Sequence, residues 1–381
     1  MKKSMRAAFL LCFLIFTPLL APAQEPAPAD SLSPAADAPV RETQSLTMCA
    51  VGDNLIHSIV YKKFQKKDGT WDFSPIYDPV RSFIKSHDLS VINQETIFVN
   101  DPKKVSTYPC FGTPQSMGDA LVGAGFNIVL SATNHTWDKG SYGVDTTLAY
   151  WKQHHPEIVL LGIHESQEDR DSIRIVEKNG IRLAMFNYTY GLNGFVVPEK
   201  HRFKVDLLDD RERFLNDVRK AEELADFTVC FLHIGEEYVY KPTPFQKQYV
   251  RDLADAGADL VICAHPHVVE PCEMLTAADG HACLAYYSCG NFVSGQNKAE
   301  RCLGGMARVG LVREALPDGR HATRIAWHEF LPTVTHRTPR TVAAYLLRDY
   351  TDSLAKQHSV KGVTPAKMKA LWKQINGEEA K

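Results

Sequence analysis

Five places in the chain carry residues able to hold a metal ion, each just after a short apolar run. The densest is Leu260–His267, read Leu-Val-Ile-Cys-Ala-His-Pro-His. Leu260 to Ala264 has the look of a buried strand. Strand periodicity then predicts that His265 and His267, two residues apart, aim at one point. Pro266 narrows the backbone between them and disfavours the helical region for His265. The other four places are Gly52-Asp53, Asn93-Gln94-Glu95, Asn134-His135 and His233. In open α/β sheets, ligands gather at the carboxyl ends of strands, so this repeated placement points to one site. Asp53, Glu95, Asn134, His233, His265 and His267 form the candidate metal set. Oxygen and imidazole donors without thiolate suit manganese, zinc or iron, as one or two ions.

Each residue has a plainer reading. Asp53 could serve only as a turn former, and the histidines as satisfied core residues. His57, four residues beyond Asp53, could be a surface histidine. Asn291, after Gly290, reads as a turn residue lining the cleft. Asp138 and Glu237 are candidate acceptors for an imidazole N–H, although Asp138 could instead cap the following helix. His154-His155 has no partner spacing and reads as structural.

The elements needed to position these residues alternate strand and helix. Apolar runs at 46–51, 89–92, 126–130, 158–163, 227–232, 260–264 and 281–287 read as strands. Segments 77–85, 115–123, 142–155, 207–225 and 244–256 read as helices, the last closed by Gly257. Lys178-Asn179-Gly180 between two alternating runs is a hairpin signal. Segments 305–312 and 322–330 read as further strands. The pattern predicts an α/β domain with a largely parallel sheet over 45–335. Residues 341–355 and 365–375 read as amphipathic helices of a C-terminal appendage, 336–381, and the charged helix 207–225 as a solvated face.

The bulk numbers exclude some classes. The chain has 381 residues and a net charge of −2, with no long basic run, so nothing points to nucleic acid. Lys2, Lys3 and Arg6, the apolar stretch from Ala7 to Leu20, and Ala21-Pro22-Ala23 read as a signal peptide cleaved after Ala23. The expected location is the periplasm or cell envelope. Lipidation at Cys12, giving a membrane-anchored form, is the lesser alternative. Residues 24–44, rich in Pro and Ala, read as a disordered linker. Of the nine cysteines, Cys272 and Cys283 flank a turn and could bridge a hairpin.

Taken in order, the motifs resemble those of the CapA/PgsA-type capsule-synthesis family, linked to poly-γ-glutamate. They are Gly52-Asp53, Asn93-Gln94-Glu95, Asn134 to Gly140, His233 to Tyr238, Gly257 to His267 and Ser288 to Phe292. The resemblance spans about Ser45 to Asn297. It implies a calcineurin-like metallophosphatase sandwich, with Asp53 as first-strand ligand and Glu95 in a metal-bridging place. It further implies Asn134 as an amide-oxygen ligand, His135 facing a leaving group, and His233, His265 and His267 completing the metal shell. The partners it implies are an envelope polymer and its membrane synthesis machinery. Three departures stand out. Asp53 is followed by Asn54-Leu55 rather than x-His, Glu95 stands where aspartate is usual, and Ala264 where glycine is usual. They leave one ion or a wider pair open. The function so implied is support of capsule polymer synthesis, export or retention. A metal-dependent phosphoesterase and a non-catalytic scaffold are the alternatives.

Overall fold

A computed structural model describes residues 43–380. The expected signal peptide, Cys12 and nearly all of the expected linker lie outside the described residues. The last two linker positions, Thr43 and Gln44, already belong to the first strand.

In chain order the strands are β1 (Thr43–Leu55), β2 (Leu89–Asn93), β3 (Phe98–Val99), β4 (Thr113–Pro114), β5 (Ile128–Leu130) and β6 (Val159–Leu161). Then come β7 (Arg174–Lys178), β8 (Ile181–Thr189), β9 (Phe227–His233), β10 (Leu260–Ala264) and β11 (Val269–Thr276). The last are β12 (Ala282–Cys289), β13 (Asn291–Ser294), β14 (Leu303–Ala315), β15 (His321–Arg337) and β16 (Val342–Leu346). One sheet runs β16-β15-β14-β1-β2-β5-β6, with β13 also beside β1. The second runs β11-β12-β10-β9-β8-β7. Each has parallel strands at its heart, β1-β2-β5-β6 and β8-β9-β10-β12, with antiparallel strands added outside.

Side-chain alternation turns these sheets into layers. Leu46, Met48 and Ala50 of β1 share a core with Met185, Val229, Phe231, Ile262 and Tyr286 of the other sheet. Cys49 and Val51 face the opposite way, toward a core shared with Met117, Leu121 and Trp151 from helices 116–124 and 140–154. Ala184, Cys230 and Val261 point outward from the second sheet onto Phe214, Val218, Val250 and Leu253 of helices 211–224 and 244–256. The result is a helix–sheet–sheet–helix sandwich of two mixed sheets: the strand–helix alternation predicts the α/β class, and the family resemblance implies the layered sandwich.

Local signals explain several joints. Asn179 and Gly180, at φ +52° and +76°, make the tight turn between β7 and β8. Helix Pro244–Ala256 starts on a Thr243–Gln246 capping box and ends at Gly257 with φ +119°. Helix 207–225 begins later than the sequence predicts, at Arg211 behind an Asp210 cap. Its Phe214, Leu215 and Val218 are buried, so only part of it is a solvated face.

The C-terminal region departs from the sequence reading. β15 runs through residue 335 to Arg337, so no break separates an appendage there. Val342–Leu346, read as helix, is strand β16, because the open edge of β15 pairs with it. Tertiary pairing outweighs local helix preference at Ala343 and Ala344. Helix Pro365–Asn376 does form, but it buries Met368 and Trp372 in the core between the sheets. Cys272 and Cys283 form no bridge. Across the β11–β12 ladder, Cys272 faces Tyr286 and Cys283 faces Leu275, and all eight described cysteines are free.

Candidate metal centre

Asp53 emerges at a break in the register of β1. Pairing shifts between Val51 and Asp53 on the β2 side, and between Asp53 and Asn54 on the β13 side. Such a bulge re-aims a side chain at a sheet end. Gly52 allows the close approach, since a Cβ there would lie 1.9 Å from the Gly290 carbonyl oxygen. The Asp53 carboxylate is fully buried. Its Oδ1 accepts from Asn93 Nδ2 at 2.8 Å, and its Oδ2 lies 2.9 Å from His267 Nδ1.

Glu95, two residues past the end of β2, is the least satisfied group in the site. Both carboxylate oxygens are buried without a hydrogen-bond partner. Oε1 stands 3.7 Å from His267 Nε2 and 3.9 Å from His233 Nε2. Burial, reinforced by Asp53, Glu237 and Asp138, pushes Glu95 well above the usual carboxylate range, and His267 pulls the other way. Burial and the neighbouring imidazoles hold His233 far below its ordinary value and His265 at about 3. For His267, the Glu95 and Asp53 carboxylates overcome burial and raise it to about 9. Neutral imidazoles are the ligating form, and a buried carboxylate without a donor is strongly disfavoured unless a cation meets it.

The His-Pro-His segment reaches the site by a route the sequence did not predict. β10 stops at Ala264, and both His265 and His267 then take positive φ, +106° and +58°. Their convergence therefore comes from a strained turn, not from strand alternation. That turn is braced by Tyr238, whose N–H donates to the Pro266 carbonyl at 2.8 Å. The His265 and His267 rings are 5.9 Å apart, and His265 lies 4.9 Å from His233. His265 Nδ1 is another buried atom without a partner.

Asn134 and His135 sit in the turn after β5. Asn134 Oδ1 is 2.9 Å from His233 Nε2. His135 Nδ1 is 2.7 Å from Asp138 Oδ2, which also accepts from the Phe111 N–H at 2.6 Å. Asp138 thus orients His135, as the sequence reading proposes for an imidazole acceptor.

The structure gathers Asp53, Glu95, Asn134, His135, Asp138, His233, His265 and His267 at one end of the parallel strands. Three other candidates border this cluster. His57 packs edge-on against Phe111 at 5.3 Å, and the same Phe111 ring packs edge-on against His135 at 4.7 Å. Asn291 is the first residue of β13, with the turn at Gly290. Its Nδ2 donates to the carbonyls of His267 and Arg301, so it braces the site from behind. Glu237 is exposed on the rim, and its charge acts on Glu95 and His267 from there.

Two contributors carried no assigned role in the sequence. Asn93 belongs to a quoted motif, and its position at the end of β2 was an available signal. Its Nδ2 also reaches His233 Nδ1 at 3.2 Å, joining the two halves of the site. Asn193 touches Asn134 at 3.2 Å and His135 at 3.4 Å from a remote loop, and no local pattern marks it.

Donor atoms of Asp53, Glu95 and His267 all lie within 4.8 Å of one another. Ligands at about 2.0–2.2 Å from one ion span nearly that distance. The residues therefore fit a divalent ion, with His233, His265 and Asn134 as further donors close by.

The fold and site define a layered α/β protein with a buried carboxylate–imidazole cluster that could hold a metal. Residues 47–296 match the family described as bacterial capsule synthesis protein PGA_cap, and the chain belongs to that family. It is 29% identical over 264 residues to the capsule biosynthesis protein CapA of Bacillus anthracis, covering 67% of this chain and 61% of that one. It is 28% identical over 253 residues to the PGA biosynthesis protein CapA of Bacillus subtilis strain 168, covering 66% and 64%. The match thus spans somewhat under two thirds of either relative. Among solved structures, the Haemophilus influenzae NAD nucleotidase aligns with a TM-score of 0.44 and 12% identity, covering 87% of this chain and 67% of that one. The Thermus thermophilus sulfate thiohydrolase SoxB aligns at 0.39 and 13%, covering 79% and 45%. Among the described residues, no helix is long and apolar enough to cross a membrane.

Proposed function

We propose that this chain acts at the cell envelope in the synthesis, export or retention of a poly-γ-glutamate-type capsule polymer, through a divalent-metal centre. The observation that carries the metal reading is Glu95. Both its oxygens are buried and unpartnered, and Oε1 lies within 4 Å of the imidazoles of both His233 and His267. The polymer role rests on membership of the capsule-synthesis family.

Asp53, Glu95 and His267 would hold the first ion, and Glu95, Asn134, His233 and His265 a second where two bind. A bound divalent ion polarises a carbonyl or phosphoryl oxygen and makes water a better nucleophile. The chain's own residues supply the rest. Asp138 accepts from His135 Nδ1, which leaves Nε2 to exchange a proton with a substrate atom. Replacing the chromosomal gene with a Glu95→Gln form tests the proposal. Loss of the envelope polymer with normal protein level is the expected result, and an unchanged polymer would refute it.

The His135–Asp138 pair beside the donor cluster also favours a second reading, a metal-dependent phosphoesterase. It predicts phosphoester hydrolysis that a chelator stops and manganese or zinc restores. A metal-loaded protein that cleaves neither mono- nor diesters would exclude it.

A further inference from the structure

Arg301 has an unusual setting. Its guanidinium carbon lies over the Tyr238 ring, 3.4 Å from the centroid. That ring stands 6.0 Å from the His267 ring. Among the described residues no carboxylate lies within ion-pair distance of Arg301. Its neighbour Glu300 is engaged by Lys367 at 3.1 Å. Arg301 is only partly buried, so its donors remain accessible.

The stack is built rather than incidental. Tyr238 takes a positive φ of +69° and is tied through its N–H to Pro266. Gln296 Nε2 donates to the Tyr238 hydroxyl at 3.3 Å. Asn291 Nδ2 lies 3.1 Å from Gln296 Oε1, 3.0 Å from the Arg301 carbonyl and 3.1 Å from the His267 carbonyl, three acceptors that share its two hydrogens. One amide thus links the backbone that carries Arg301 to the backbone that carries a candidate ligand. Arg337, buried beneath the same loop, holds Asn297 at 2.7 Å.

We infer that Arg301 is a specificity-determining residue that binds an oxyanion of the substrate, a carboxylate or a phosphoryl group, at the mouth of the metal site. The inference rests on the reading of the buried cluster as that site. A planar guanidinium matches a two-oxygen anion, and stacking on an aromatic face fixes its orientation before the anion arrives. Tyr238 and its hydrogen bonds are the positioning elements.

The test is calorimetric titration of the purified protein with inorganic phosphate and, separately, glutarate. Wild type is compared with Arg301→Met and Arg301→Lys, with metal content and thermal unfolding measured on the same samples. The expected result is anion binding that weakens about tenfold or more in Arg301→Met. Arg301→Lys should recover part of it, with metal content and unfolding temperature unchanged. Preference for phosphate would name a phosphoryl substrate, and preference for glutarate a carboxylate polymer. Wild type that binds neither anion, or Arg301→Met that binds both as wild type does, would overturn the inference. Wild-type protein that takes up no manganese, zinc or iron when offered, yet binds an anion through Arg301, would instead refute the metal reading and leave the anion site standing.

Discussion

Asn93 spends one amide group on two members of the site, donating to Asp53 Oδ1 and contacting His233 Nδ1. Because Nδ2 faces a carboxylate on one side, the same group acts as donor toward the imidazole on the other. Removing such an outer support commonly weakens a metal site by about 10- to 100-fold. Asn93→Ala should therefore lower metal affinity by that order while leaving the fold intact, as read by competition with a chelating dye and by circular dichroism. Unchanged affinity would show that Asn93 is only a sheet-end residue. At this scale the candidate donors were legible in the sequence because each follows an apolar run. Asn193 was not, since it reaches Asn134 and His135 from a loop whose position depends on the whole sandwich.

The elements follow ordinary physical rules, and their failures are informative. Helix 244–256 and strand β10 end where the sequence says they should, because a capping box, a left-handed glycine and a buried apolar run leave little choice. β16 does not, because its state is decided by the edge of β15. The His-Pro-His turn was placed correctly, but its backbone was not, since positive φ at two histidines contradicts local preference. Strain of that kind collects at functional sites. The junction of β1, β2 and β13 can be tested directly. Gly52→Ala drives a Cβ into the Gly290 carbonyl and adjoining backbone. It should destabilise the protein by about 2 kcal/mol or more in urea unfolding, as overpacking does. A loss under about 0.5 kcal/mol, the range of neutral surface changes, would mean the strands separate freely there.

Across the whole molecule, a second charged cluster ties the loop ahead of helix 167–171 to the segment leading into helix 211–224. His164 Nε2 is 2.6 Å from Asp206, its Nδ1 is 3.6 Å from Asp169, and Arg170 Nε reaches Asp206 at 3.1 Å. Burial alone would lower His164, but the two carboxylates raise it to about 9. A raised histidine stabilises the fold fully below its unfolded value, about 6.5, and that contribution disappears as pH rises through about 9. The wild type should lose up to about 3 kcal/mol from this group between those values. His164→Gln should show a shallower slope than wild type when unfolding is followed from pH 6 to 10, since His267 still contributes in both proteins. Equal slopes in both proteins would show the cluster to be solvated and weak.

On the proposed function, the adjoining ends of the two sheets would hold a divalent metal through Glu95 and the converging histidines. Elemental analysis of the purified protein, wild type beside Glu95→Ala and His265→Ala/His267→Ala, tests it most directly. One or two equivalents of manganese, zinc or iron are expected in wild type, with loss in both variants and the fold retained. Wild type that takes up none of these ions when they are offered would contradict it.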